Sequence, residues 1–120
     1  MVKFKKNVFN EIIEINNVKE YNKIIKDFSQ YLILAYFYDN TCKNSNEILE
    51  KIQEVRNENK NNNLVFFKID VSSNEEIISN LDITSCPMIY FYKNSEKIKC
   101  VYATYEKIGE ILNNEINDLL

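Results

Sequence analysis

The eight residues Tyr31-Leu32-Ile33-Leu34-Ala35-Tyr36-Phe37-Tyr38 run without a charge or a break, and this run limits what the chain can become. Alternation with period two would give a strand with one wet face; an unbroken apolar run needs cover on both faces. The expectation is an α/β protein with helices on both sides of a central strand. The turn Asp39-Asn40-Thr41-Cys42-Lys43-Asn44-Ser45 follows, and then Ile48, Leu49, Ile52 and Val55 mark the apolar face of a helix. Cys42 is therefore expected where the central strand ends and a helix begins. Unpaired N–H groups and the positive end of the helix dipole favour a thiolate there. Lys43 adds a full positive charge beside it.

A chain of 120 residues suits one domain with its own core. Its formal charge of −3 gives no attraction for nucleic acid or an anionic membrane, so neither is expected as a partner. Met1 to Lys6 is basic, but no apolar stretch of export length follows it, and no segment is long enough to span a membrane. The three cysteines, Cys42, Cys86 and Cys100, are an odd number. The expectation is a reducing, cytoplasmic setting with free thiols. The chain contains no histidine, which removes Cys–His proteolysis and most general-base chemistry near pH 7. The cysteines lack zinc spacing, so no metal and no resident cofactor is expected.

The rest of the chain reads as alternating elements. Residues 1–10 are taken as an N-terminal extension and 11–120 as the domain. Glu11 to Ile15 reads as a short strand. Asn16 or Asn17 caps a helix with its apolar face at Val18, Tyr21, Ile24, Ile25 and Phe28. After the strand 31–38 comes a helix from about Asn44 to Asn59, then a second apolar strand from Leu64 to Val71. Ser72 or Ser73 is expected to cap a short helix, because Ser73 and Glu76 have capping-box spacing. Met88 to Tyr92 and Lys97 to Tyr102 pair as a hairpin through Lys93-Asn94-Ser95-Glu96. Thr104 is the expected cap of a last helix carrying Ile108, Ile111, Leu112 and Ile116. The order β-α-β-α-β-α-β-β-α implies a central mixed sheet with helices on both faces.

From residue 11 onward this ordered set resembles the thioredoxin family. The resemblance rests on the buried strand leading to a cysteine at a helix start, Phe67-Lys68-Ile69-Asp70-Val71, Ser85-Cys86-Pro87-Met88, and Phe91-Tyr92-Lys93-Asn94-Ser95-Glu96. It implies a thioredoxin-like fold in which Cys42 is the attacking cysteine. It also implies that Pro87 is a cis-proline facing the active site, with the backbone at Cys86 pairing an extended substrate. The chain departs from the family pattern at several of these places. Ser45 stands where the resolving cysteine would be, making the motif CxxS, a monothiol variant. Lys43 and Asn44 replace the intervening glycine and proline, Thr41 replaces a tryptophan, and Tyr36 aligns with a buried aspartate that assists proton transfer. Ser95 and Ala103 fall where the family usually has glycines.

Each candidate also has a plainer explanation. Cys42 could be a small buried hydrophobe, although its polar neighbours argue for a reactive thiol. Ser45 binds a backbone group in the first helical turn, donates a hydrogen bond to the thiolate, or does both. Cys86 either fills a small apolar position or forms a bond with Cys42. Tyr36, Phe37 and Tyr38 are expected mostly in the core, with Tyr38 at most lining the groove; Cys100 is read as structural, and the charged helix residues as solvated faces. Thr41, Lys43, Cys86 and Pro87 are the expected substrate-binding residues. Two functions follow. In the first, Cys42 attacks disulfide-containing or glutathionylated proteins and an external thiol such as glutathione resolves the mixed disulfide; the protein would then be a monothiol oxidoreductase, isomerase or deglutathionylase in cell redox homeostasis. In the alternative, the fold is a non-catalytic protein-binding module using the groove beside Pro87.

Overall fold

The structure, a computed structural model, describes residues 11–39, 41, 44–59, 63–81, 83 and 87–120. The elements are β1 (Ile12–Glu14), α1 (Val18–Asp27), β2 (Leu32–Tyr38), α2 (Ser45–Glu58), β3 (Leu64–Asp70), α3 (Glu75–Leu81), β4 (Met88–Lys93), β5 (Glu96–Tyr102) and α4 (Ile108–Leu119). A 3₁₀ turn, Val71–Ser73, joins β3 to α3. The five strands form one mixed sheet in the order β1-β3-β2-β4-β5. Strands β1, β3 and β2 run parallel, while β4 is antiparallel to β2 and β5 to β4.

All seven residues of β2 are buried, as the charge-free run requires. Ile33, Ala35 and Phe37 pack on the face carrying Tyr21, Ile24 and Phe28 of α1 and Ile77 of α3. Leu32, Leu34, Tyr36 and Tyr38 face Ile48, Ile52 and Val55 of α2 and Ile108, Leu112 and Ile116 of α4. Burying each such aliphatic or aromatic side chain contributes roughly 1.5–3 kcal/mol. The core is therefore two layers sharing one sheet.

Several local expectations hold. Asn17 caps α1, its side-chain oxygen accepting from the Glu20 N–H at 2.8 Å. The β4–β5 turn has two residues, Asn94 and Ser95, both at positive φ (54° and 66°), as a type I′ hairpin demands.

Other expectations are corrected. Ser73 makes no capping box, because its hydroxyl donates to the Asp70 carbonyl at 3.3 Å. Ser72 donates through both N–H and Oγ to the Asp70 side chain. The two serines thus close the 3₁₀ turn, and α3 starts one step later on the Asn74 carbonyl. Thr104 likewise precedes a turn. Its carbonyl accepts from Lys107 and Ile108, and α4 begins at Ile108. Cys100 is not a core residue: it is a free, exposed thiol on the edge strand β5. Among the charged helix residues, Arg56 departs from the solvated pattern and is only 5 % exposed. Burial lowers its pKa and the nearby charge of Glu11 opposes that shift.

Candidate active site at the carboxyl end of the central strands

The carboxyl ends of β1, β3 and β2 lie at the same end of the sheet because the three strands are parallel. Strand β4 begins at that end because it runs antiparallel to β2. Phe37 pairs with Met88, and continuing the register one step sets Pro87 across from Tyr38. The backbone leaving the most buried strand therefore starts beside Pro87. The carboxyl ends of parallel strands, where the connections diverge, are where ligands bind in open α/β sheets. Here β2 has β3 on one side and β4 on the other, so the divergence falls at Tyr38.

The chain leaves β2 through a tight turn. Asp39 Oδ1 accepts from both the Thr41 N–H (2.9 Å) and the Thr41 hydroxyl (2.8 Å). These two donors, the backbone one foremost, hold the Asp39 carboxyl below its ordinary range. Thr41 is exposed. On the far side of the turn, Asn44 takes the left-handed conformation (φ 66°) and makes no side-chain cap to α2. Asparagine tolerates that conformation better than most residues. Ser45 opens α2 and is buried. Of the expected site residues, Thr41, Ser45 and Pro87 are thus brought to one end of the sheet. Cys42, Lys43 and Cys86 lie outside the described residues, as does the 1–10 extension.

Pro87 is partly exposed. Its carbonyl accepts from the Ala103 N–H at 3.1 Å, which ties the start of β4 to the end of β5. Next to it, Met88 pairs with Tyr102, which is 61 % exposed. Tyr105 is also exposed, with Lys51 Nζ 4.8 Å from its ring centroid. Of the two positions read against family glycines, only Ser95 needs positive φ; Ala103 does not.

Two tyrosines occupy the α2 side of the sheet at this end; sequence offered Tyr38 as a groove residue but neither hydroxyl bond. Tyr36 donates to the Ser45 carbonyl at 3.2 Å. Tyr38 donates to Glu14 Oε2 at 3.2 Å. The rings stack at 5.4 Å with 18° between their planes. Burial first, then the charge of Glu14, pushes the Tyr38 phenol up to about 12. The available signal for Tyr36 was its alignment with the family's buried aspartate, which marks a core position beneath the site.

The fold and the clustering of Thr41, Ser45 and Pro87 define a thioredoxin-fold protein. A family model described as Thioredoxin matches residues 12–116, and the chain belongs to the thioredoxin family. It is 26% identical over 107 residues to thioredoxin from Ictalurus punctatus, a match covering 89% of this chain and 97% of that protein. It is 20% identical over 113 residues to thioredoxin-like 2, chloroplastic, from Oryza sativa subsp. japonica, covering 91% of this chain and 51% of that longer protein. Among solved structures, thioredoxin from Trypanosoma brucei brucei superposes with a TM-score of 0.81 at 16% identity, covering 98% of this chain and 97% of that one. Plasmodium falciparum thioredoxin gives 0.77 at 21% identity, with coverage of 91% and 100%. At these identities the structural likeness speaks to the fold. Family membership supports a thiol redox role and disulfide substrates in general terms. No helix among the described residues is long and apolar enough to cross a membrane.

Proposed function

We propose that this protein is a monothiol redox protein acting through Cys42. The observation that carries this reading is the convergence of the end of β2, the start of α2 and Pro87 at one end of the sheet. The Cys42 thiolate attacks one sulfur of a disulfide or glutathionylated cysteine. A new S–S bond forms at Cys42, and the other sulfur leaves as a thiolate. With serine at position 45, the chain has no second thiol at the usual place. A thiol supplied from outside, such as glutathione, then attacks the mixed disulfide and returns Cys42 to the thiolate. Glutathionylated and disulfide-containing proteins are the substrates, and deglutathionylation or isomerisation suits one thiol better than general reduction. Thr41 and Pro87 lie at the end of the sheet where an extended substrate segment would bind, and Lys43 and the backbone at Cys86 are the further residues assigned to that segment. Ser45 adds a hydroxyl-bearing residue three positions after Cys42 in sequence, at the start of α2.

Alkylation rate against pH, followed on a variant in which only Cys42 remains, tests the thiol directly. Cys42 should titrate below the free-cysteine value of about 8.5. If it titrates like free cysteine, the redox reading fails and the groove is better regarded as a binding module. In a reductase-coupled assay on a model protein disulfide, wild-type turnover should be low and Ser45→Cys should raise it. Mild oxidation with glutathione disulfide should leave a glutathione adduct on Cys42. A Cys42–Cys86 peptide in monomeric protein would instead assign resolution to Cys86 and remove the need for an outside thiol.

A further inference from the structure

The geometry points to Tyr36 as a positioning residue for the reactive thiol, acting through the first turn of α2. This inference rests on the reading of Cys42 given above. Tyr36 is 2 % exposed and sits in the middle of the most buried strand, where a hydroxyl must find a partner or incur a desolvation cost. It donates to the Ser45 carbonyl, at 3.2 Å. Ser45 is the first residue of α2 and lies three positions after Cys42.

That hydrogen bond acts in two ways. It anchors the opening turn of α2 to the sheet, beside a cap residue, Asn44, whose side chain makes no capping bond. It also polarises the peptide unit between Ser45 and Asn46. A donor on the carbonyl of a peptide strengthens the N–H at the other end of the same unit. The Asn46 N–H belongs to the first turn, whose amides have no partner further back in the helix and supply the positive end of its dipole. The Tyr36 ring is itself held by stacking on Tyr38, whose hydroxyl is tied to Glu14. The stacking does not depend on the Tyr38 hydroxyl, so the hydrogen-bonded link to α2 is the Tyr36–Ser45 bond.

The charged groups at this end include Lys68, which pairs with Tyr36 from β3, Asp70 opposite Tyr38, Glu14 on β1, Asp39 in the turn and Glu47 in the first turn of α2. Tyr36→Phe leaves all of them in place and keeps the stacked ring.

The test compares wild type, Tyr36→Phe and Tyr38→Phe. Tyr38→Phe is the control, since it removes a hydroxyl bond from the same ring stack without touching α2. Alkylation of Cys42 is read below its midpoint, with the exposed Cys100 as internal reference. Tyr36→Phe should slow Cys42 by about two- to fivefold, the scale of a helix-terminus contribution, and leave Cys100 unchanged. Tyr38→Phe should leave both unchanged. Hydrogen exchange should also speed up in Tyr36→Phe at Leu49, whose N–H the helix directs at the same Ser45 carbonyl. Faster exchange with an unaltered Cys42 rate would make Tyr36 merely structural and overturn the inference, as would superimposable curves for wild type and variant. A wild-type Cys42 that titrates like free cysteine would be a separate failure, that of the redox reading itself.

Discussion

At the scale of single residues, backbone conformation separates positions that look alike in sequence. Asn44, Asn94 and Ser95 all have positive φ, but only the asparagines tolerate it readily. Ser95 offsets part of the strain with a hydrogen bond from Oγ to the Ile25 carbonyl at 3.2 Å. Replacing it with glycine relieves roughly 1 kcal/mol of strain. The change also loses an exposed hydrogen bond of about 0.5 kcal/mol and adds freedom to the unfolded chain. The expected result for Ser95→Gly is stability unchanged to within about 0.5 kcal/mol. Ser95→Val adds a branched Cβ in the wrong region and also loses the bond, and should cost about 2 kcal/mol. Urea titration of the three proteins checks both. The turn itself was legible in sequence, because a polar tetrapeptide between two apolar strands specifies a hairpin. The role of Tyr36 was not, because a tyrosine in an apolar run reads as core until the position of its hydroxyl is known.

At the scale of elements, apolar spacing locates a helix better than candidate caps locate its ends. Ile108, Leu112 and Ile116 are fully buried, so the pattern for α4 held even though its start lies beyond Thr104. The serines before α3 and the threonine before α4 each serve a preceding turn. A short polar side chain suits a turn as well as a cap, so sequence alone does not place the boundary. Packing should likewise dominate the energetics of α4. Leu112→Ala opens a cavity against the sheet and should cost about 3 kcal/mol. The Lys99–Glu115 pair joins β5 to α4 at 2.6 Å, but the Lys99 side chain is 45% exposed. Solvent screens it, and Glu115→Gln should cost under about 0.5 kcal/mol. Thermal or urea unfolding of the two variants gives the comparison; equal losses would contradict it.

At the scale of the molecule, the buried phenols link stability to alkaline pH. Tyr38 is raised to about 12, and burial also raises Tyr21 and Tyr92, whose hydroxyls are bonded at 2.6 Å. An unfolded chain releases phenol protons near pH 10, while the folded protein retains them. The unfolded state then binds fewer protons, so stability is fully present below pH 10 and falls as pH rises through 12. Urea midpoints at pH 9 and pH 11 should show that fall, and Tyr38→Phe should make it shallower; identical slopes would assign the loss elsewhere. Sequence by itself determined the alternation of elements, the two-sided burial of β2 and the layering of helices, because hydrophobic period and run length are local properties of the chain. It also singled out Cys42 as the candidate thiol, through its polar turn and the helical pattern that follows. Only the tertiary structure brought Pro87 across from the end of β2, exposed Cys100 on an edge strand and joined Tyr36 to Ser45. Those outcomes depend on strand order, register and side-chain direction, which are set by packing between segments distant along the chain.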